Sequence, residues 1–254
     1  MRMIEGPSAG ILVERQMGLP GWSEMHQAKV SGAQVLVAGV GGVGGVVAQY
    51  LAMGGVGSLY LVHHGPLDWP DLNRQTLMER SGIGKSRVTI AAERLIRQVP
   101  ECRILALDSR LDPWMESLVA SSDLVVDART NFEERFLLNK MAAKAKKPLV
   151  FAAMNGMEGL VLPMRPGQGA CLRCLFAEGD PEWDPLGFPV LGAVSGAVGS
   201  MAAIVALRML SGYGEDPEGA MTVFDGTDLS LRTVRVARRP DCPVCQAVDE
   251  KTGF

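Results

Sequence analysis

From Gln34 to Gly55 the chain reads QVLVAGVGGVGGVVAQYLAMGG, an apolar β-branched run that halts on glycine and resumes, one loop later, with helical spacing. A continuous apolar run closed by glycine is the pattern of a strand covered on both faces. Val47, Tyr50 and Leu51 then recur at helix-like intervals, and Gly54 and Gly55 supply a helix stop. SLYLVH follows as a second strand. The three pieces make a βαβ unit, whose strands must run parallel because the helix carries the chain back to the starting edge.

The alternation continues. GKSRVTIAAERLIRQVP reads as a helix stopped by Pro100, CRILAL as a strand with Cys102 as an ordinary core thiol at its start, and DPWMESLVASS as a short helix. DLVVDA is a strand, NFEERFLLNKMAAKAKK a helix with a cationic last turn, and PLVFAAM a strand. Such alternation predicts an α/β fold, a doubly wound and mainly parallel sheet of Rossmann-like type. EGLVLPMRP, AMTVFD and LRTVRVARRP look like an antiparallel C-terminal extension around an apolar helix. No repeat or linker divides the chain, so the expectation is a single domain over 1–254, with a nucleotide-binding part at 30–154 and the remainder at 155–254.

Two classes are disfavoured by composition. A formal net charge of −3 offers no general basic surface for nucleic acid or an anionic membrane. The first residues hold only a three-residue apolar run, Ile11 to Val13, too short for a signal-peptide core, so a cytoplasmic protein is expected. Leu186 to Leu207 carries no charge and is long enough to span a bilayer. It is rich in Gly, Ala and Ser, with Gly192 and Gly196 at a spacing suited to close helix packing, and no other segment resembles a span. A helix buried in a core is the expectation.

Gly39, Gly41 and Gly44, with Gly42 between them, form G-x-G-x-x-G between a strand and a helix. The first glycine permits the turn, the second lets backbone N–H groups approach a phosphate, and the third lets the helix pack on the sheet. Dinucleotide enzymes place an acid at the end of the second strand for the ribose hydroxyls. Here His63 and His64 stand in that place, which argues against a plain dehydrogenase.

Four of the five cysteines form two C-x-x-C pairs, Cys171 with Cys174 and Cys242 with Cys245. Two such knuckles brought together make a tetrahedral four-thiolate site for structural zinc, with thiol redox chemistry as the other reading.

ERQMGLPGW, the glycine-loop segment, DLNRQ, DLVVDARTNFEERFLLN, GMEGLVLPMRPGQGACLRCLF, GAVSGAVGSMAAIVALRMLSG and CPVC together resemble, in order, the ThiF/MoeB/HesA family of ubiquitin-activating-like adenylyltransferases. The resemblance implies ATP- and magnesium-dependent adenylation of the C-terminal carboxylate of a small ubiquitin-like sulfur-carrier protein ending in Gly-Gly, or of a related small carboxylate. It also implies a homodimer in which Arg15 reaches the ATP of the second copy. Arg74 matches the family's phosphate-binding arginine, Gln75 follows it as expected, and Asn73 beside it is a further candidate for the nucleotide. Asp127 and Asn131 match the segment that holds magnesium.

Other positions depart from the family pattern. His63 replaces its ribose-binding aspartate, Gly65 its second acid, Asp71 an asparagine and Thr130 its magnesium-binding aspartate. Arg87 stands for its lysine, with Lys85 two residues earlier as a deputy. FAEGDPEWDPLGFPV carries no cysteine for a thioester or persulfide step. Arg129, and a proton on His63 or His64, are candidate replacements for the missing charge. Two functions therefore stand side by side: an adenylyltransferase with an altered ATP site, and a non-catalytic relative that binds a carrier or a partner subunit.

Overall fold

The computed structural model describes residues 12–250 except residue 186. Ile11, the first residue of the short apolar run weighed as a leader, lies outside that range with the ten residues before it, as does Leu186 at the start of the long apolar run.

A short helix α1 (Glu14–Met17) and α2 (Glu24–Gly32) lead into β1 (Gln34–Ala38), α3 (Gly42–Met53) and β2 (Ser58–His63). Then come α4 (Arg87–Gln98), β3 (Arg103–Asp108), α5 (Glu116–Ser121), β4 (Leu124–Asp127), α6 (Phe132–Lys144) and β5 (Leu149–Asn155). β6 (Glu158–Met164), α7 (Leu172–Leu175), α8 (Gly192–Ser211), β7 (Ala220–Asp225), β8 (Ser230–Arg235) and α9 (Pro243–Glu250) complete the order.

All eight strands share one sheet in the order β3-β2-β1-β4-β5-β6-β7-β8. The first five are parallel, and β5 to β8 pair antiparallel, as the alternation and its loss after Met154 predicted. Val35, Val37, Val125, Val126 and Val150 are buried strand residues, which is why these runs read as apolar without alternation. One core lies under α3, α4 and α8, the other under α5 and α6 on the opposite face. Tyr50, counted in the apolar stripe of α3, is instead 48% exposed. Cys102 is buried just ahead of β3, and burial pushes its thiol up to about 11.

α8 is long and apolar enough to cross a membrane, but here it is a core helix. Val194, Val198, Ala202 and Ala206, at four-residue intervals, face α3 and the sheet. The close approach expected at Gly192 and Gly196 is made by a different pair. A Cβ at Gly192 would lie 2.1 Å from the Asn73 carbonyl oxygen, and one at Gly199 would lie 2.7 Å from that of Val43. Gly196 has nothing within 4 Å, because seven residues, two helical turns, bring Gly192 and Gly199 onto one face and leave Gly196 on another.

Candidate functional site

β1 and β4 are neighbours whose following connections leave in opposite directions, and a cavity opens at that divergence. This is the place where an open parallel sheet offers a ligand crevice. Gly39, at φ +99°, turns the chain there, and a Cβ on it would lie 2.5 Å from the Ala128 oxygen. A Cβ on Gly44 would sit 1.8 Å from the Gly39 oxygen. These two glycines hold loop, helix and β4 together, while Gly41 and Gly42 at the start of α3 line the cavity. The first-turn N–H groups of α3 are free of intrahelical partners and suit an anion.

The cavity measures about 420 Å³. Of the residues expected to form a site, Gly41, Gly42, His63, Asp71, Arg74, Gln75, Arg87, Thr130 and Asn131 border it. Asn73 is exposed, its Oδ1 accepting from Arg74 Nη1 at 3.0 Å, and Lys85 is exposed away from the cavity. Arg15 lies exposed on α1, outside its own chain's cavity.

Five arginines line the cavity (74, 87, 110, 129 and 135) against three carboxylates, so its field favours anions. The carboxylates are already engaged, apart from Glu133. Asp71 accepts from Arg74 Nη2 at 3.2 Å and faces Arg87 Nη1 at 3.5 Å. Glu134 takes Arg129 Nε at 3.0 Å and Nη2 at 2.5 Å on one oxygen, and the Leu111 N–H at 2.8 Å on the other. Burial pushes the Glu134 carboxyl up, but the charge and hydrogen bonds of Arg129, with Leu111 and Asn131, hold it below the usual range. Asp127 is fully buried behind the cavity, accepting from Arg129 N at 3.0 Å and Arg135 Nη1 at 3.4 Å. Burial raises its carboxyl despite Arg135.

Arg129 also reaches β2. Its Nη1 lies 3.1 Å from His63 Nδ1 and its Nη2 lies 3.2 Å from His64 Nδ1. A guanidinium only donates, so both Nδ1 atoms accept and both rings are neutral. Burial first, then Arg87 and Arg129, hold His63 well below 6.5, and His64 is lowered by burial and Arg129. The proton that the sequence allowed on these histidines is therefore displaced by a fixed guanidinium. His63 Nε2 is buried without a partner.

The sequence reading passed over several residues. Glu134 announces itself only as an acid in the first turn of a helix capped by Asn131. Arg110 lies in no motif, and Ser195 sits within the apolar-helix segment with nothing in the sequence to mark it as a site residue. Trp183 and Phe188 stack with centroids 5.2 Å apart, and Trp183 Nε1 donates to the Thr130 oxygen at 2.6 Å. That places the segment between α7 and α8 along one wall of the cavity.

Away from the cavity, the four cysteine sulfurs lie within 4.8 Å of one another and all four residues are buried. The Sγ atoms of Cys171 and Cys242, and of Cys174 and Cys245, are 3.6 Å apart. Sulfurs around a tetrahedral ion with bonds of about 2.3 Å stand roughly 3.8 Å apart, so the cluster fits a metal and is too open for disulfides. Hydrogen bonding, first from Cys245 and then from Asn139 and Cys242, brings the Cys171 thiol down to about 5. The cluster fastens the start of α7 to the start of α9.

A model of the ThiF family matches residues 13–244. Protein HesA of Leptolyngbya boryana is 41% identical over 91% of this chain and 83% of its own length. The sulfur carrier protein adenylyltransferase of Thermus thermophilus is 36% identical over 91% of this chain and 89% of its own. Among solved structures, E. coli MccB superposes with a TM-score of 0.78 at 20% identity, covering 94% of this chain and 73% of that one. The last likeness is one of fold.

Proposed function

Because the chain belongs to the ThiF family, we propose that it is an ATP-using adenylyltransferase that activates the C-terminal carboxylate of a small ubiquitin-like sulfur-carrier protein, or a related carboxylate. One observation carries the reading: the glycine-loop helix terminus, Arg74 and Arg87 converge on one cavity at the divergence of the sheet. A carboxylate is a poor electrophile until its oxygen is joined to a phosphoryl group. Its oxygen attacks the α-phosphorus, the bond to the bridging oxygen of the β-phosphate breaks, and pyrophosphate leaves with that electron pair. Catalysis then consists of holding the phosphates in line and neutralising charge as it develops.

This chain's own groups fit those tasks. The N–H groups at Gly41 and Gly42 cradle phosphate, and Arg74, anchored by Asp71 and by the Pro70 carbonyl at 2.7 Å, is pre-aimed at it. Trp183 and Phe188 shield an acyl adenylate from water. Arg15, exposed on α1, is left to serve a second copy in a homodimer. Zinc is the metal suited to four thiolates, and it would hold α7 to α9 as a structural ion in a cytoplasmic setting, where thiols stay reduced. Residues 30–154 form the nucleotide part and 155–254 the carrier-binding, dimerisation and zinc part. Asp71 and Glu134 of the lining, and Asp127 behind it, are each committed to arginine, which leaves Glu133 as the lining carboxylate open to a magnesium ion that also takes substrate phosphates.

That commitment also favours a second reading, a family member that binds a carrier or partner subunit without adenylating it. Exchange of labelled pyrophosphate into ATP, measured with candidate carrier proteins and small carboxylates, separates the two. Carboxylate-dependent exchange that Arg74→Ala abolishes supports adenylation. ATP binding without exchange across all candidates sinks it, and carrier binding under those conditions supports the second reading.

A further inference from the structure

We propose that His64 positions the ribose of ATP: its Nε2–H donates to a ribose hydroxyl oxygen, where other glycine-loop proteins use an acid that accepts from the hydroxyls. This rests on reading the cavity as an ATP site.

In glycine-loop folds the phosphates lie at the helix terminus after the first strand, and the ribose lies at the end of the second, where an acid takes its hydroxyl hydrogens. Here β2 ends at His63 and runs into His64 and Gly65. The carboxylates nearby do not fill the acid's place. Asp71 is held by Arg74 and Glu134 by Arg129, while Asp108, opposite His63 on β3, lies outside the cavity lining. Glu133 belongs to the first turn of α6 rather than to the strand end. A ribose beside β2 is therefore met through the lone pairs of its oxygens, which calls for a donor.

Arg129 makes His64 that donor. The guanidinium gives a hydrogen to His64 Nδ1 at 3.2 Å, which leaves the single ring proton on Nε2. Two bonds to Glu134 fix the same guanidinium, so the tautomer and the ring's direction are set before a ligand arrives. Arg87 Nη2 donates to the His64 carbonyl at 3.0 Å, anchoring the backbone as well. Burial, then Arg129, oppose a second proton on the ring, with Arg110 and Arg87 adding to them and Glu134 acting the other way. The two histidines differ in access. His63 Nε2 is sealed in the protein without a partner. His64 is half-buried and borders the cavity, and its Nε2 is neither sealed nor bonded among the described residues. A donor held in place at both ring and backbone loses little freedom when it binds, so its hydrogen bond is kept as affinity.

Titration calorimetry on the whole chain with ATP, 2′-deoxy-ATP and 3′-deoxy-ATP tests this. At least one analogue should bind about two- to ten-fold more weakly than ATP, the scale of one neutral hydrogen bond, and the weaker one identifies the hydroxyl. His64→Ala should bring ATP and that analogue to equal affinity, whereas His64→Gln, which keeps a side-chain N–H, should retain part of the preference. The ratio between ATP and its analogue is read within each protein, so a general loss of stability does not move it. Equal binding of all three nucleotides by the native chain overturns the proposal while leaving the ATP reading intact, as does a preference unchanged in His64→Ala. A preference lost as fully in His64→Gln as in His64→Ala overturns the hydrogen bond as its cause. Failure of all three nucleotides to bind overturns the ATP reading and this proposal with it.

Discussion

Arg129 Nη1 lies 3.1 Å from His63 Nδ1, joining the loop after β4 to the end of β2 across the mouth of the glycine loop. The same guanidinium is locked by Glu134, so one buried cation fixes the protonation of two histidines and the position of a cavity wall.

Stability should fall as the solution is acidified below about pH 6.5. His63 has a folded-state pKa well below its unfolded value of 6.5, so in that window the unfolded chain binds a proton that the native chain refuses. The sign follows: stability is full above 6.5 and declines as pH drops towards the folded value. Comparing Tm of the native protein and His63→Gln between pH 7.5 and 5.5 isolates this histidine. A difference between the two that stays constant across the window would contradict it.

Glu134→Ala should destabilise the fold by about 3–5 kcal/mol, because it strands a buried guanidinium. Arg129 and Glu134 side chains are 4% and 8% exposed. The pair Lys144 and Glu116, 53% and 45% exposed, gives a control, and Glu116→Ala should change stability by about 0–1 kcal/mol. Urea unfolding of both variants makes the comparison, and similar losses in the two would count against the buried network.

Gly199→Ala should cost about 1–3 kcal/mol, since its Cβ would press against the Val43 oxygen at 2.7 Å and Val46 Cβ at 2.8 Å. Gly196→Ala, on the open side of the same helix, should gain up to about 1 kcal/mol from helix propensity alone. Thermal melts that move both variants in one direction would refute this account of how α8 packs.

The purified chain should carry about one equivalent of zinc, held by Cys171, Cys174, Cys242 and Cys245. Cys242→Ser should lose most of it and lower stability by about 2 kcal/mol or more, a Tm drop of roughly 4–8 °C. Metal analysis beside a melt, with and without chelator, checks both parts. A native chain free of metal and indifferent to chelation would return the cluster to the thiol-redox reading.

The strand and helix order was legible because each element is written in contiguous residues: apolar β-branched runs for buried parallel strands, and a glycine loop where a helix must start close to a sheet. The two C-x-x-C pairs were equally plain as a candidate metal cluster, and the fold brings their four sulfurs within 4.8 Å of one another. Legibility failed where a residue's partner is distant. Nothing around Gly196 distinguishes it from Gly199, and only the facing helix decides which of them is crowded.

The sequence by itself determined a doubly wound sheet with an antiparallel end, a glycine loop at its crevice and a pair of thiol knuckles, because local periodicity and turn chemistry specify those features. Only the tertiary structure decided that His63 meets Arg129 from 66 residues away, and that Cys171 meets Cys242 from 71. It likewise decided that Asp71, Asp127 and Glu134 are each bound to an arginine. The physical reason is that a charge acquires its protonation and its partner from burial and from whatever the fold places beside it. Those are properties of three-dimensional neighbourhoods, and contiguous sequence does not carry them.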